Sequence, residues 1–278
     1  RLSGLNVPED GLPVTLTNYR FMDLGPTLVK VENTQARVLG GLRGHWNGWD
    51  WDSALLYSRA EVTDRQDGIS STALQRQLAL STPDAYNPFN GGDLAFPPTG
   101  GDTTPSSQAA LDAIRVLSTR RSRTTLALGD FKVSRTDLLQ LPGGDVGAAA
   151  GVEFRRETQV DNRDARVDGS IGFVDAVTGE VQAADLFGVS PTPDTQGARN
   201  VWSAYMELAA PLVSPDMAIP LVRSLDVQLA GRFERYSDFG NVAKPKVAVA
   251  WELFDGFRVR GSWSEGFRAP NLEQVNAS

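Results

Sequence analysis

The feature that most restricts this chain is an alternation of apolar and polar residues with period two, repeated in one segment after another. Leu225, Val227, Leu229, Gly231 and Phe233 fall on one side, and Asp226, Gln228, Ala230, Arg232 and Glu234 on the other. An extended strand separates these sets, whereas a helix would mix them. Pro245, Val247, Val249, Trp251 and Leu253 then oppose Lys244, Lys246, Ala248, Ala250 and Glu252. Phe257, Val259, Gly261 and Trp263 oppose Arg258, Arg260, Ser262 and Ser264. The same division runs from Val38 to Trp46, Trp49 to Tyr57, Thr125 to Val133, Val146 to Phe154 and Trp202 to Leu208. With a further strand near Leu16 to Met22, the pattern predicts an all-β chain of about nine strands.

The connections fall into two kinds. Asn47-Gly48, Pro142-Gly143-Gly144 and Asp255-Gly256 are tight-turn sequences, and Ser214 to Pro220 is a slightly longer turn. In an antiparallel meander these all lie at one end of the sheet. The other end carries the long connections, Arg65 to about Arg115 and Asp161 to about Gly197, with Ser237 to Gly240 as the short exception. Tight turns at one rim and long loops at the other are the layout of an outer-membrane barrel. The strands also read as long. Nothing punctuates Val146 to Val160, and only Gly129 interrupts Arg120 to Leu139. Strands that cross a bilayer need about 9–11 residues, more than the usual soluble strand. Trp46, Trp49 and Trp51 flank one tight turn and Phe254 and Phe257 another, where an interfacial aromatic girdle belongs.

Composition removes several classes. Among 278 residues there is no cysteine, so disulfides, thiolate metal sites and thiol catalysis are excluded. The formal net charge of −7 argues against nucleic acid as the main partner. No run approaches the roughly 20 apolar residues of a spanning helix, the longest being short stretches such as Gly147 to Val152.

Within the first long connection, Ser70 to Leu80 and Ser106 to Leu117 read as helices opened by serine caps. Between them lies a Pro-, Gly- and Asp-rich stretch, Pro83 to Pro105, with Tyr86, Phe89 and Phe96. A loop of this length is usually functional. Its aromatics could stack on a ligand ring or pin the loop to itself. His45, the single histidine, has no partner at metal-binding spacing, and Asp50 and Asp52 are same-face strand residues without a calcium-loop pattern. No nucleophile elbow or phosphate loop stands out, and no paired carboxylates can be placed across a cleft, so no catalytic residue, cofactor or metal site is expected. Arg120, Arg121 and Arg123 form a basic cluster, read as a solvated strand end with an anionic partner as the alternative.

Several segments carry a family resemblance. Glu265-Gly266-Phe267-Arg268-Ala269-Pro270-Asn271-Leu272, preceded by Phe257 to Trp263, resembles the end-of-strand signature of TonB-dependent outer-membrane receptors. Arg235-Tyr236-Ser237-Asp238-Phe239-Gly240 with Lys244-Pro245-Lys246 and Trp251 is also similar to that family. So are Ala85-Tyr86-Asn87-Pro88-Phe89-Asn90-Gly91-Gly92-Asp93 and Gly48-Trp49-Asp50-Trp51-Asp52. The resemblance implies a large barrel of about 22 strands filled by an N-terminal plug. It implies energy-coupled import of a scarce nutrient (an iron chelate, a vitamin or an oligosaccharide) at the bacterial outer membrane, and no enzyme activity. The implied partners are the plug, a periplasmic TonB protein, lipopolysaccharide and a small-molecule ligand. Residues 1–278 are then expected to be an interior part of the barrel domain, lacking plug and closing strands, since two open edges are not viable in lipid.

Ligand-contact candidates are Tyr86, Asn87, Phe89 and Asn90 in the long loop, and Arg232, Glu234, Arg258 and Arg260 on the polar wall. A passive porin and a soluble β-sandwich share the same alternation. The sandwich would bury Leu225, Val227, Leu229 and Phe233 under a second sheet, while the barrel would leave them bare.

Overall fold

The computed structural model describes residues 19–90 and 104–276. Its elements are β1 (Val29–Trp46), β2 (Trp49–Ile69), α1 (Ser71–Leu78), α2 (Gln108–Ile114), β3 (Arg115–Leu141), β4 (Gly144–Asn162), the short β5 (Phe173–Val174) and β6 (Val181–Gln182), β7 (Thr195–Val213), β8 (Ser224–Tyr236), β9 (Gly240–Phe254), β10 (Phe257–Ser264) and α3 (Leu272–Asn276). Eight strands form one sheet in the order β1-β2-β3-β4-β7-β8-β9-β10, an antiparallel meander broken only by the two-residue ribbon β5-β6. β3 alone runs 27 residues.

All eight firmly patterned segments are strands. The ninth, near Leu16 to Met22, falls mostly outside the described residues, and its described end carries a 3₁₀ turn at Met22–Leu24 instead. Turn chemistry follows the sequence at Asn47-Gly48, where both residues take positive φ, 50° and 81°. At Asp255-Gly256 only Gly256 does (φ 83°), and a bulge between Phe257 and Arg258 absorbs the difference in twist.

Contacts divide the chain into two units. The loop unit comprises 19–32, 62–90, 104–121 and 162–194 of the described residues. It has a small buried core of Leu74, Tyr86, Leu111 and Ile114, against which Tyr19, Phe21, Leu24 and Ile69 pack. Ser70 and Ser107 cap the two helices by accepting hydrogen bonds from the N–H groups of Ala73 and Ala110, as the serine spacing predicts. α2 ends at Ile114, earlier than the pattern suggests, because Arg115 already has β3 geometry.

The wall unit comprises 33–61, 122–161 and 195–276. Its apolar face is bare: Leu42 is 73% exposed, Leu55 71% and Trp202 61%. Leu229 and Phe233 are exposed too, and Leu225 and Val227 are half-buried. Among the described residues no second sheet of comparable size exists to cover that face, so the sandwich alternative fails. On the same strand as Trp202, the polar-face residues Arg199 (3%) and Ser203 (5%) are buried. This inverts the pattern of a water-soluble protein and is what a wall facing lipid requires. Glycines on the wall lie beneath aromatic rings. A Cβ on Gly44 would come within 2.7 Å of the Trp51 ring, so the ring takes the place of the missing side chain.

Candidate functional site

Two regions carry the expected ligand contacts, one in each unit. In the loop unit, burial and hydrogen bonding fix the stretch from Tyr86 to Asn90. Tyr86 is a core residue whose hydroxyl lies 2.9 Å from that of Tyr19 and donates to Asp23 Oδ1 at 3.2 Å. Burial pushes both tyrosine hydroxyls up, that of Tyr86 most. Asn87 accepts from the Phe89 N–H at 3.0 Å, forming an Asx turn, and donates to the Thr104 carbonyl at 2.9 Å. Asn90, fully buried, donates to the same carbonyl. Phe89 is left as the exposed aromatic of the group. Phe96 and Gly91-Gly92-Asp93 lie outside the described residues.

The centre of the loop unit is a residue that sequence reading does not single out. Asp185, 2% exposed, accepts from Ser70 Oγ at 2.6 Å and from the Thr72 N–H at 2.8 Å. It therefore holds the first turn of α1 to a segment more than a hundred residues away. Nothing local in Ala184-Asp185-Leu186 announces this, because the partners are remote in sequence.

In the wall unit, strand register assembles a ladder of opposite charges on the polar face. Arg155 of β4 donates to Glu153 and Glu157 on its own strand, each at 2.9 Å. Glu157 pairs in register with Arg199 of β7, and Ser203 with Glu234 of β8. Arg232 donates to Glu234 at 2.8 Å and approaches Glu153 at 3.9 Å, while Tyr236 also donates to Glu234. Arg258 pairs with Asp226 at 2.6 Å. Arg260 makes no ion pair among the described residues and borders a groove of about 540 Å³, floored by Gly147, Ala209 and Ala248. The polar-wall candidates are thus split. Arg232, Glu234 and Arg258 are satisfied by neighbours, and Arg260 faces open space.

The residues that carry the family resemblance converge on Arg199. Its guanidinium pairs with Asp238 at 2.7 Å, donates to the Pro270 carbonyl at 2.8 Å, and lies 5.6 Å from the Tyr236 ring and 5.5 Å from that of Phe239. Tyr236 and Phe239 stack at 4.2 Å, and Phe267 packs against both. The chain after β10 folds back so that α3 packs on β7, where Gly197 has no side chain in the space taken by the Asn276 amide. Asn271 and Gln274 form a reciprocal capping box (2.9 and 2.7 Å) that starts α3. Three separated sequence segments therefore form one knot around a buried cation. The Arg-Tyr-Ser-Asp-Phe and Phe-Arg-Ala-Pro motifs were visible in the sequence. Their common partner was not, because Arg199 sits outside both.

A family model described as TonB dependent receptor-like, beta-barrel, matches residues 7–278, and the chain belongs to that family. This is an outer-membrane family of receptors and transporters. No curated protein and no solved structure matches the chain.

Proposed function

We propose that this chain forms part of the wall of a receptor that imports a scarce nutrient, an iron chelate, vitamin or oligosaccharide, with energy delivered by a periplasmic TonB protein. What carries the reading is the inverted wall, apolar outward and charge-laddered inward, in a chain of this family. A polar wall suits a plug and a hydrophilic cargo, because every strand offers side chains that can exchange hydrogen bonds with what passes. Phe89 and Arg260, exposed in their respective units, are the first candidates for ligand contact. Tyr86, Asn87 and Asn90 would hold the loop that presents Phe89, and Arg232, Glu234 and Arg258 would supply the charged lining.

Residues 1–278 belong in this reading to a larger barrel domain. β1 and β10 are sheet edges, and an unpaired edge in hydrocarbon leaves backbone groups unsatisfied at several kcal/mol each. The remaining strands and the plug would come from elsewhere in the protein, and lipopolysaccharide would surround it.

The test is uptake by cells carrying or lacking the receptor, with labelled iron chelate, vitamin and oligosaccharide each offered in turn as the limiting nutrient. Receptor-dependent uptake of one of them that stops when the proton-motive force is collapsed supports the proposal. Uptake that continues at full rate without that force would make the protein a passive channel.

A further inference from the structure

A short motif recurs on the outward face of the wall. Three strands that run from the turn end toward the rim of the long loops carry, in their apolar row, an aromatic residue followed two positions later by arginine. These are Tyr57-Ser58-Arg59 on β2, Phe154-Arg155-Arg156 on β4 and Phe233-Glu234-Arg235 on β8. Spacing of two keeps each pair on one face. Trp202 of β7 joins the aromatic row, with its ring 4.4 Å from that of Phe154, and Arg123 of β3 joins the cationic row.

The charges in this row do not cancel. One carboxylate, Glu61, serves two guanidiniums, Arg59 at 2.6 Å and Arg123 at 2.5 Å. Arg156 is oriented by a neutral partner, donating to Asn200 Oδ1 at 3.2 Å. Arg235 stands opposite Trp202 in register and makes no ion pair among the described residues. Arg156 lies level with Asn200 and Arg235 level with Trp202, two strands across and two residues along, about 12 Å apart, so their long side chains can converge on one bound group. The turn end of the same outward face differs: Arg135 there is matched by Asp137 at 2.9 Å.

We infer that Arg59, Arg123, Arg156 and Arg235 form a binding tier for the phosphate groups of the lipopolysaccharide headgroup. The inference rests on the outer-membrane reading above, which puts the long-loop end in the outer leaflet. The aromatic row then lies at the acyl–headgroup boundary, and the guanidiniums project just beyond it. Arginine matches phosphate oxygens with paired N–H donors, so a tier rich in unmatched arginine recognises phosphate rather than only tolerating the interface.

The experiment uses the whole receptor in lipid nanodiscs, titrated with diphosphoryl lipid A and with the same lipid stripped of phosphate. Wild-type protein is expected to prefer the phosphorylated lipid by at least about tenfold, as charge-assisted hydrogen bonds of this kind imply. The triple variant R59Q/R156Q/R235Q, which keeps Arg123 paired with Glu61, should lose that preference. R59K/R156K/R235K should retain part of it, and R135Q at the turn end all of it. Inorganic phosphate should not compete, since the aromatic row contributes only to a lipid. Equal binding of both lipids by wild type, an unchanged preference in the glutamine variant, or displacement by inorganic phosphate would each overturn the inference while leaving the barrel intact. A receptor that does not insert into the nanodisc at all overturns the barrel reading and this inference together.

Discussion

The two units of this chain differ in what their larger apolar side chains meet. In the loop unit Leu74, Tyr86, Leu111 and Ile114 gather in a buried cluster, and the polar groups buried beside them, such as Ser70, Asn90 and Asp185, are hydrogen-bonded. In the wall unit Arg199 and Ser203 are buried while Leu42, Leu55 and Trp202 are bare. Neither is anomalous once the solvent is named. The loop unit is built for water, where apolar burial drives folding. The wall is built for hydrocarbon outside, so its polar groups must satisfy one another inside. One chain thus carries two folding codes, and the change of code marks where each part works.

The largest effect expected from breaking this contrast is at Arg199. Arg199→Met leaves Asp238 without its partner and the Pro270 carbonyl without a donor, a loss of about 3–5 kcal/mol for one half of a buried ion pair. It should appear as a lowered temperature for the heat-modifiable mobility shift of the detergent-solubilised receptor. Asp185→Ala should cost the loop unit about 3 kcal/mol, since the buried Ser70 Oγ and the half-buried Thr72 N–H both lose their acceptor. Hydrogen exchange should then quicken across α1 while β8 and β9 keep their protection. Leu229→Arg should cost about 2–4 kcal/mol in a bilayer, because the side chain enters hydrocarbon. The same change on a water-facing strand would be close to neutral, so urea unfolding in liposomes separates the two solvents.

The smallest effect is a pH dependence confined to the loop unit. Burial holds the Asp23 carboxyl above the usual carboxylate range, partly offset by the hydrogen bond from Tyr86. A raised value means that the fold prefers the protonated form. Its contribution is fully present below the unfolded value and is lost as pH rises through the folded one. Asp175 is the reverse. Hydrogen bonds from the N–H groups of Thr178 and Val177 lower it, so its contribution is present at neutral pH and lost on acidification. Asp23→Asn should therefore stabilise the loop unit at neutral pH, and Asp175→Asn should destabilise it there. Hydrogen exchange of residues 19–25 and 173–182 at two pH values reads both.

How much of this was legible in the sequence depended on the range of the interaction concerned. Alternation revealed β8, β9 and β10 because each has one apolar and one polar face. The first half of β1 has a weaker signal: Val29 and Val31 alternate with Lys30 and Glu32, but from Asn33 to Arg37 both faces carry polar residues and the row breaks off. Helix starts were visible at Ser70 and Ser107 because a cap is a local contact. Asp185 and Arg199 were invisible because register and loop return bring their partners from distant segments. The aromatic-x-arginine repeat lay in plain view, but it gains meaning only when strand direction shows that all three copies point to the same rim.

The most direct test of the central claim, that one face of the wall meets lipid, uses the absence of cysteine from this chain. Single cysteine substitutions at positions 226 to 233 would be spin-labelled in the receptor reconstituted into liposomes. Collision rates with oxygen, which concentrates in hydrocarbon, and with a water-soluble nickel chelate would then be compared at each site. The account predicts a period of two, with labels at 227, 229, 231 and 233 favouring oxygen and those at 226, 228, 230 and 232 favouring the chelate. Labels at 229 and 233 that meet neither reagent, or meet the chelate as readily as their neighbours do, would contradict it.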